Sequence, residues 1–287
     1  MYTLRARKAQ QSIAYGVLWL MAGISVAIML LVVGYVVIEG FGKISLDFFT
    51  TSPRGGLSGE GGIYSTIVTT VLLVVVTMFI ATPLGVCAGI FLVEYADYVK
   101  NKAVAFLVGL ARFGVETLAG VPSIIFGLFG YALFVTAMGL GFSVLAAAMA
   151  GACLVIPVVI RTTEESLKTV PDSFREGSLA LGASRWETVR KVILPSALPG
   201  VTTGLILSVG RIVSETAIFY VTLGGSYRTP NSLLSSGRTM ALHVFYLAME
   251  TRAFDKAMAT GAVLVALIVI LNLIVNTISG RLSSEMK

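Results

Sequence analysis

The sequence predicts an all-α integral membrane protein with six membrane-spanning helices, and three observations carry that expectation. Of the 287 residues 56% are hydrophobic and 13% charged, and the mean hydropathy is +0.90, a balance that no water-soluble domain of this size needs. The charges sit in short islands: residues 9–38, 61–93, 117–160, 192–210 and 257–280 contain no Asp, Glu, Lys or Arg. These runs also lack the alternation of barrel strands. In lipid, where backbone polar groups must be satisfied within the chain, that leaves helices.

A span needs about 20 apolar residues. The first is expected at 13–38. Arg5, Arg7 and Lys8 precede it as they would a signal peptide, but its apolar stretch is about twice a signal peptide's core, so it is expected to remain as an anchor. The second is expected at 64–93, and residues 103–115 as a short helix leading into the third. The run 117–160 is too long for one span and is interrupted by Gly139-Leu140-Gly141, so it divides into 118–138 and 142–160. The fifth and sixth follow at 199–223 and 257–279. No Pro/Gly/Ser-rich linker separates them, and 1–287 is expected to be a single transmembrane domain. Cys87 and Cys153 fall inside spans and suggest neither a disulfide framework nor a metal cluster.

Basic residues near span ends are retained on the cytoplasmic side. With both termini inside, 14 Lys and Arg lie on the cytoplasmic face and 6 on the other, with Arg211 inside a span. This places 161–198 in the cytoplasm and 39–63 and 224–256 outside. Within 224–256, Met240, Ala241, Val244, Phe245, Leu247 and Ala248 recur at helical spacing, consistent with an amphipathic helix at the outer interface. His243 lies in that stretch with no partner at ligand spacing and is expected at the surface.

The cytoplasmic loop carries the strongest local signal. Asp172 is expected to cap a helix reaching Leu181, Gly182 to bend the chain, and Ser184 with Glu187 to open a second helix as a capping box. Leu194-Pro195 then closes the loop and begins the next span. A packed helical hairpin can transmit a push where a slack loop folds away; a solvated basic loop would satisfy the charge rule equally well.

Glu176-Gly177-Ser178, Leu181-Gly182-Ala183, then Val192 and Leu194-Pro195 resemble the EAA loop by which ABC-importer permeases grip their ATPase. Gly177 and Ser178 replace the usual alanines, and Val192 the usual isoleucine. The resemblance extends to Phe91-Leu92-Val93-Glu94-Tyr95-Ala96, to Gly120–Leu128, to Arg161-Thr162-Thr163-Glu164-Glu165 and to Arg211–Ala217, and it points to the PstA-type permease subunits of phosphate ABC transporters. It implies the type I, MetI-like importer architecture with cytoplasmic coupling helices. The implied partners are a C-type companion permease completing a heterodimeric pore, two ATPase subunits binding ATP and Mg, an extracytoplasmic phosphate-binding protein, and membrane lipid. The implied setting is the inner membrane of a prokaryote. No cofactor is expected on this chain and no nucleic acid among its partners. Ser214 and Ile218 replace a usual glycine and proline, so a straighter helix is expected there.

Arg211 is the leading candidate for the substrate path. A guanidinium in mid-span costs about 2.5–3.5 kcal/mol on insertion scales and should face a cavity or a partner. Glu215, one helical turn further on, is expected on the same face, and Gly204, Ser208, Arg211, Glu215 and Thr222 form a small-or-polar stripe. Guanidinium suits bidentate capture of phosphate; an Arg211–Glu215 pair serving structure alone is the other reading. Arg161, beside Glu164 and Glu165, either lines the path or snorkels to headgroups. Glu116 is expected to charge the N-terminus of the third span.

The chain contains no Gly-x-x-x-x-Gly-Lys-Ser/Thr loop and is expected not to be an enzyme, with ATP hydrolysis on a separate chain. Competing readings are a permease for molybdate or sulfate, a membrane-embedded enzyme acting on lipids, and an ion-coupled transporter. A single histidine with scattered carboxylates argues against the enzyme, and the 176–195 loop against the ion-coupled transporter.

Overall fold

The computed structural model describes residues 4–54, 60–96 and 101–285. Leu4–Phe41 forms α1 and Leu46–Thr50 a short α2. Tyr64–Ile90 is α3, which widens into a π turn at Phe91–Tyr95. Lys102–Ala119 is α4, and Ser123–Gly130 is α5, which continues as a π segment to Ala137. Val144–Lys168 is α6; Asp172–Ala180 and Arg185–Thr188 are α7 and α8, the two arms of a hairpin. Leu194–Ser214 is α9, Ala217–Thr222 α10, Met240–Met249 α11 and Phe254–Glu285 α12. The bundle therefore has a hairpin end, where α3 and α6 finish, and an opposite end, which carries α2 and α11.

Five helices are long and apolar enough to cross a membrane, and α4 with α5 make a sixth where the bent pair is counted as one span. This third span departs from expectation: α4 and α5 meet at 112°, so 118–138 is not one straight helix. Pro122 explains the break, because its ring drives Val121 out of helical conformation, and Pro122 itself then caps α5. The second arm of the pair, Ser123–Ala137, is about 22 Å long at 1.5 Å per residue. The turn at Gly139 and Gly141, both at positive φ, divides the third and fourth spans where expected.

Helix α6 is the core of the bundle, with Ala146, Ala147, Ala148, Ala150 and Val155 fully buried. It is flanked by two small-xxx-small pairs that the sequence reading passed over. On α3, a Cβ at Gly85 or Gly89 would stand 2.7 Å from Val159 or Thr163. On α9, side chains at Gly200 and Gly204 would strike Ser166 and Thr162. Lipid offers no hydrophobic drive between helices, so this close backbone approach is what holds α3, α6 and α9 together. α1 stands apart on α12, where Gly40 meets Met258 and Ala262 and Lys43 pairs with Asp255.

The fourth span continues to Lys168, well past the expected 160. The fifth departs most. Its helix does not begin at 199: α8 runs through a π segment at Val189–Ile193 directly into α9, so Leu194-Pro195 lies inside a continuous rod. In the π turn Leu194 N–H reaches back to Val189 O, a widening that accommodates Pro195, which has no N–H of its own to donate. The same rod then breaks at Glu215, whose ψ of 131° is extended. Ser214 and Ile218 therefore do not straighten the helix.

Helix α11 buries one face and exposes the other, which carries Phe245 and Met249. Met240, Leu242, His243 and Leu247 are buried against the opposite end of the bundle, and Met240 joins Phe48, Ile63 and Ala259 in a small core.

Candidate functional site

The hairpin forms as its sequence dictates. α7 begins at Asp172 with Pro171 rather than Asp172 in the cap position, and ends at Ala180. Gly182 has φ +87°, the left-handed turn that glycine adopts without strain. Ser184 Oγ accepts from Glu187 N–H and the Glu187 carboxylate accepts from Ser184 N–H, a complete capping box. These bonds, with Lys191 nearby, hold the Glu187 carboxyl down at about 2. The tip is apolar though it faces no part of this chain: Leu181 is 91% exposed, and Phe174, Leu179 and Trp186 are exposed around it. Glu176, Gly177 and Gly182 are exposed on the same hairpin, with Ser178, Ala183, Leu194 and Pro195 half-buried behind them. Ser178 Oγ and Thr188 Oγ1 lie 2.9 Å apart and tie the two arms together.

A contact absent from the sequence reading fastens this hairpin to the bundle. Arg175 Nε and Nη2 both donate to the Glu94 carboxylate, at 3.1 and 2.8 Å, while Nη2 also donates to Leu167 O and Nη1 to Val170 O. From the second arm, Arg185 Nη1 donates to Glu94 O. The signal available was Glu94 itself, the first charge after the long apolar run of α3.

The structure divides the polar stripe of the fifth span. Ser208 is fully buried and donates to Gly204 O; Thr222 is fully buried and donates to Ile218 O. Ser208 shares with Gly204 the side of α9 pressed on α6, and Thr222, on α10, packs beside Gly130 of α5. Glu215 is buried too, and its carboxylate accepts from Ala217 and Ile218 N–H, capping α10. It is not one helical turn from Arg211, since the helix stops between them. Arg211 alone is exposed, and its guanidinium makes no hydrogen bond or ion pair among the described residues. The structural ion pair is therefore excluded, and a cation in an apolar span faces away from its own bundle.

Arg161 is exposed two turns before the end of α6 and pairs with Glu165 at 3.0 Å. With Arg112, Glu116, Glu164 and Lys168 these residues line a cavity of about 270 Å³ at the hairpin end. Glu116 occupies the last turn of α4 rather than a helix start. At the opposite end the Arg238 guanidinium lies 4.0 Å from the Tyr246 ring centre and donates to Gly225 O. His243, beneath it, is buried; burial first, then Arg238 and Lys256, push its imidazole down to about 3. Among the described residues no three His, Cys, Asp or Glu side chains gather as metal ligands.

A bundle of apolar spans carrying a capped helical hairpin at one end defines a type I importer permease, a transport subunit and not an enzyme. The chain belongs to the family of binding-protein-dependent transport system inner membrane components, whose model matches residues 81–287. It is 35% identical to the probable ABC transporter permease protein YqgI of Bacillus subtilis, over 93% of this chain and 94% of that one. It is 34% identical to the phosphate transport system permease protein PstA of Yersinia pestis, over 85% and 81%. A solved bacterial ABC transporter involved in the import of the acidic polysaccharide alginate shares its fold, with a TM-score of 0.62 at 14% identity over 96% of this chain and 99% of that one. The protein is thus a multi-pass membrane subunit of an ABC importer, a class that works with an ATPase and a substrate-binding protein.

Proposed function

We propose that this chain is the A-type half of the pore of an ATP-driven phosphate importer, with a C-type companion as the other half. Arg211 carries the reading. A guanidinium that is always charged, sits in an apolar span and has no hydrogen-bond or ion-pair partner among the described residues needs an anion or a facing subunit, and a pore shared with a companion offers both. Phosphate oxygens match its forked donors. The resemblance to the Yersinia PstA protein supports phosphate over other oxyanions.

In this reading the hairpin and both termini lie in the cytoplasm of the inner membrane, consistent with the 14 to 6 division of basic residues. Of two ATPases carrying ATP and Mg, one seats on Leu181 and its exposed apolar neighbours and the other on the companion permease, and an extracytoplasmic binding protein delivers phosphate to the opposite end. ATPase closure moves the hairpin, and because α8 and α9 are one rod, that movement carries Arg211 with it. Arg161 and Arg112 stand at the exit.

Radiolabelled phosphate uptake into vesicles containing the four-component complex tests the cargo. Uptake that resists excess sulfate and molybdate is expected; uptake abolished by either at equal concentration assigns the complex to that oxyanion instead.

A further inference from the structure

We infer that Arg175 is the positioning residue that makes the hairpin a rigid lever, a strut joining α7 to the ends of α3 and α6, with Glu94 as its anvil. The inference rests on the proposed role of the hairpin as the ATPase contact.

Helix α7 buries none of its side chains, so apolar packing does not anchor it. Apart from Ser178 Oγ on Thr188 Oγ1 of the second arm, its hydrogen bonds to the spans run through one guanidinium, on a side chain only 18% exposed. Arginine has five N–H donors, and here all five have acceptors: Nε and one Nη2 hydrogen meet Glu94, the other Nη2 hydrogen Leu167 O, and the two on Nη1 Val170 O and Asp172. Leu167 lies in the last turn of α6, where its carbonyl accepts from Val170 N–H as well as from Arg175, and a cation there also suits the helix dipole. A single planar group therefore fixes three elements in one geometry.

Glu94 is held from both arms. Its carboxylate takes Arg175 from α7 and its carbonyl takes Arg185 from α8, so pushing either arm loads the end of α3. Its side chain is 12% exposed, and a part-buried bidentate pair is stiffer than a fully exposed one. Lysine at 175 would keep the charge but not the fork. Phe174 and Glu176, which flank Arg175, are exposed on the docking side, whereas Arg175 turns inward onto Glu94, so the surface around Leu181 does not use its guanidinium.

The test uses the complete complex in proteoliposomes with Arg175→Gln, Glu94→Gln and the double variant. Each should keep its ATPase on co-purification and hydrolyse ATP, while substrate moved per ATP falls about tenfold, and the double should lose no more than the worse single. A cargo-independent readout accompanies it: the spin-label distance from Ser173→Cys on α7 to Cys87 on α3, in a Cys153→Ser background, should broaden in each variant. A narrow distance with unchanged transport per ATP overturns the strut. Loss of the ATPase together with transport also overturns it, because Arg175 would then serve docking. A wild-type complex that moves no phosphate refutes the cargo reading instead, and the distance measurement still decides this one.

Discussion

Arg211 and Glu215 are four residues apart yet do not meet: the helix ends at Ser214, leaving the guanidinium outside the bundle and the carboxylate buried as the cap of α10. The two charges therefore have separate tasks and give separate predictions.

Arg211→Ala is expected to insert and assemble normally, since it removes no contact among the described residues, while phosphate uptake falls at least about a hundredfold. Arg211→Lys should restore only part of it, because ammonium lacks the fork. Membrane abundance on immunoblots with initial uptake rates checks this; a well-expressed Arg211→Ala protein with ordinary uptake refutes it.

Glu215→Ala should behave in the opposite way. Losing the acceptor for Ala217 and Ile218 N–H costs about 1–2 kcal/mol, the range for a lost helix cap, and lowers the melting temperature in detergent by roughly 2–8 °C. Glu215→Gln keeps an acceptor oxygen and should lose less. Equal melting of all three proteins would show that the cap contributes nothing.

Gly204→Val tests the close approach of α9 to α6. The new Cβ would stand 2.6 Å from Thr162 Cβ, and overpacking of this kind costs about 1–3 kcal/mol or more. The variant should accumulate poorly in membranes, whereas Gly210→Val, with open space around it, should accumulate normally. Comparable levels of the two would refute the packing account.

His243 predicts an acid-sensitive opposite end. Its folded value of about 3 lies below the unfolded 6.5, so burying the neutral ring is free above pH 6.5 and grows costly as pH falls toward 3. The loss approaches about 1.4 kcal/mol per pH unit in that window. Arg238 and Lys256 face the ring and add to the penalty on a second positive charge. Detergent melting temperature should drop between pH 6.5 and 5 more steeply for wild type than for His243→Gln; parallel curves would exclude the histidine as the cause.

The hairpin was legible in the sequence because its determinants are local. Gly182, Ser184 and Glu187 act on backbone groups within four residues, and a capping box or a left-handed turn forms wherever those groups allow. The 112° break at Pro122 was missed for a different reason: hydropathy reports where apolar residues lie and not where the chain turns. His243 was misread as a surface residue because an apolar stripe at helical spacing does not say which face of α11 turns inward, and only the neighbouring helices decide that.

By itself the sequence determined that the chain lives in lipid, that it is built of long apolar helices, and that it carries a bent, capped hairpin, since composition and short-range hydrogen bonding suffice for each. Only the tertiary structure decided that Ser208 faces inward and Arg211 outward, that α8 and α9 form one rod, and that Glu94 receives Arg175 across 81 residues of chain. The physical reason is that these depend on which faces of α3, α6 and α9 press together. Small residues at Gly85, Gly89, Gly200 and Gly204 set that choice through contacts between segments far apart in sequence.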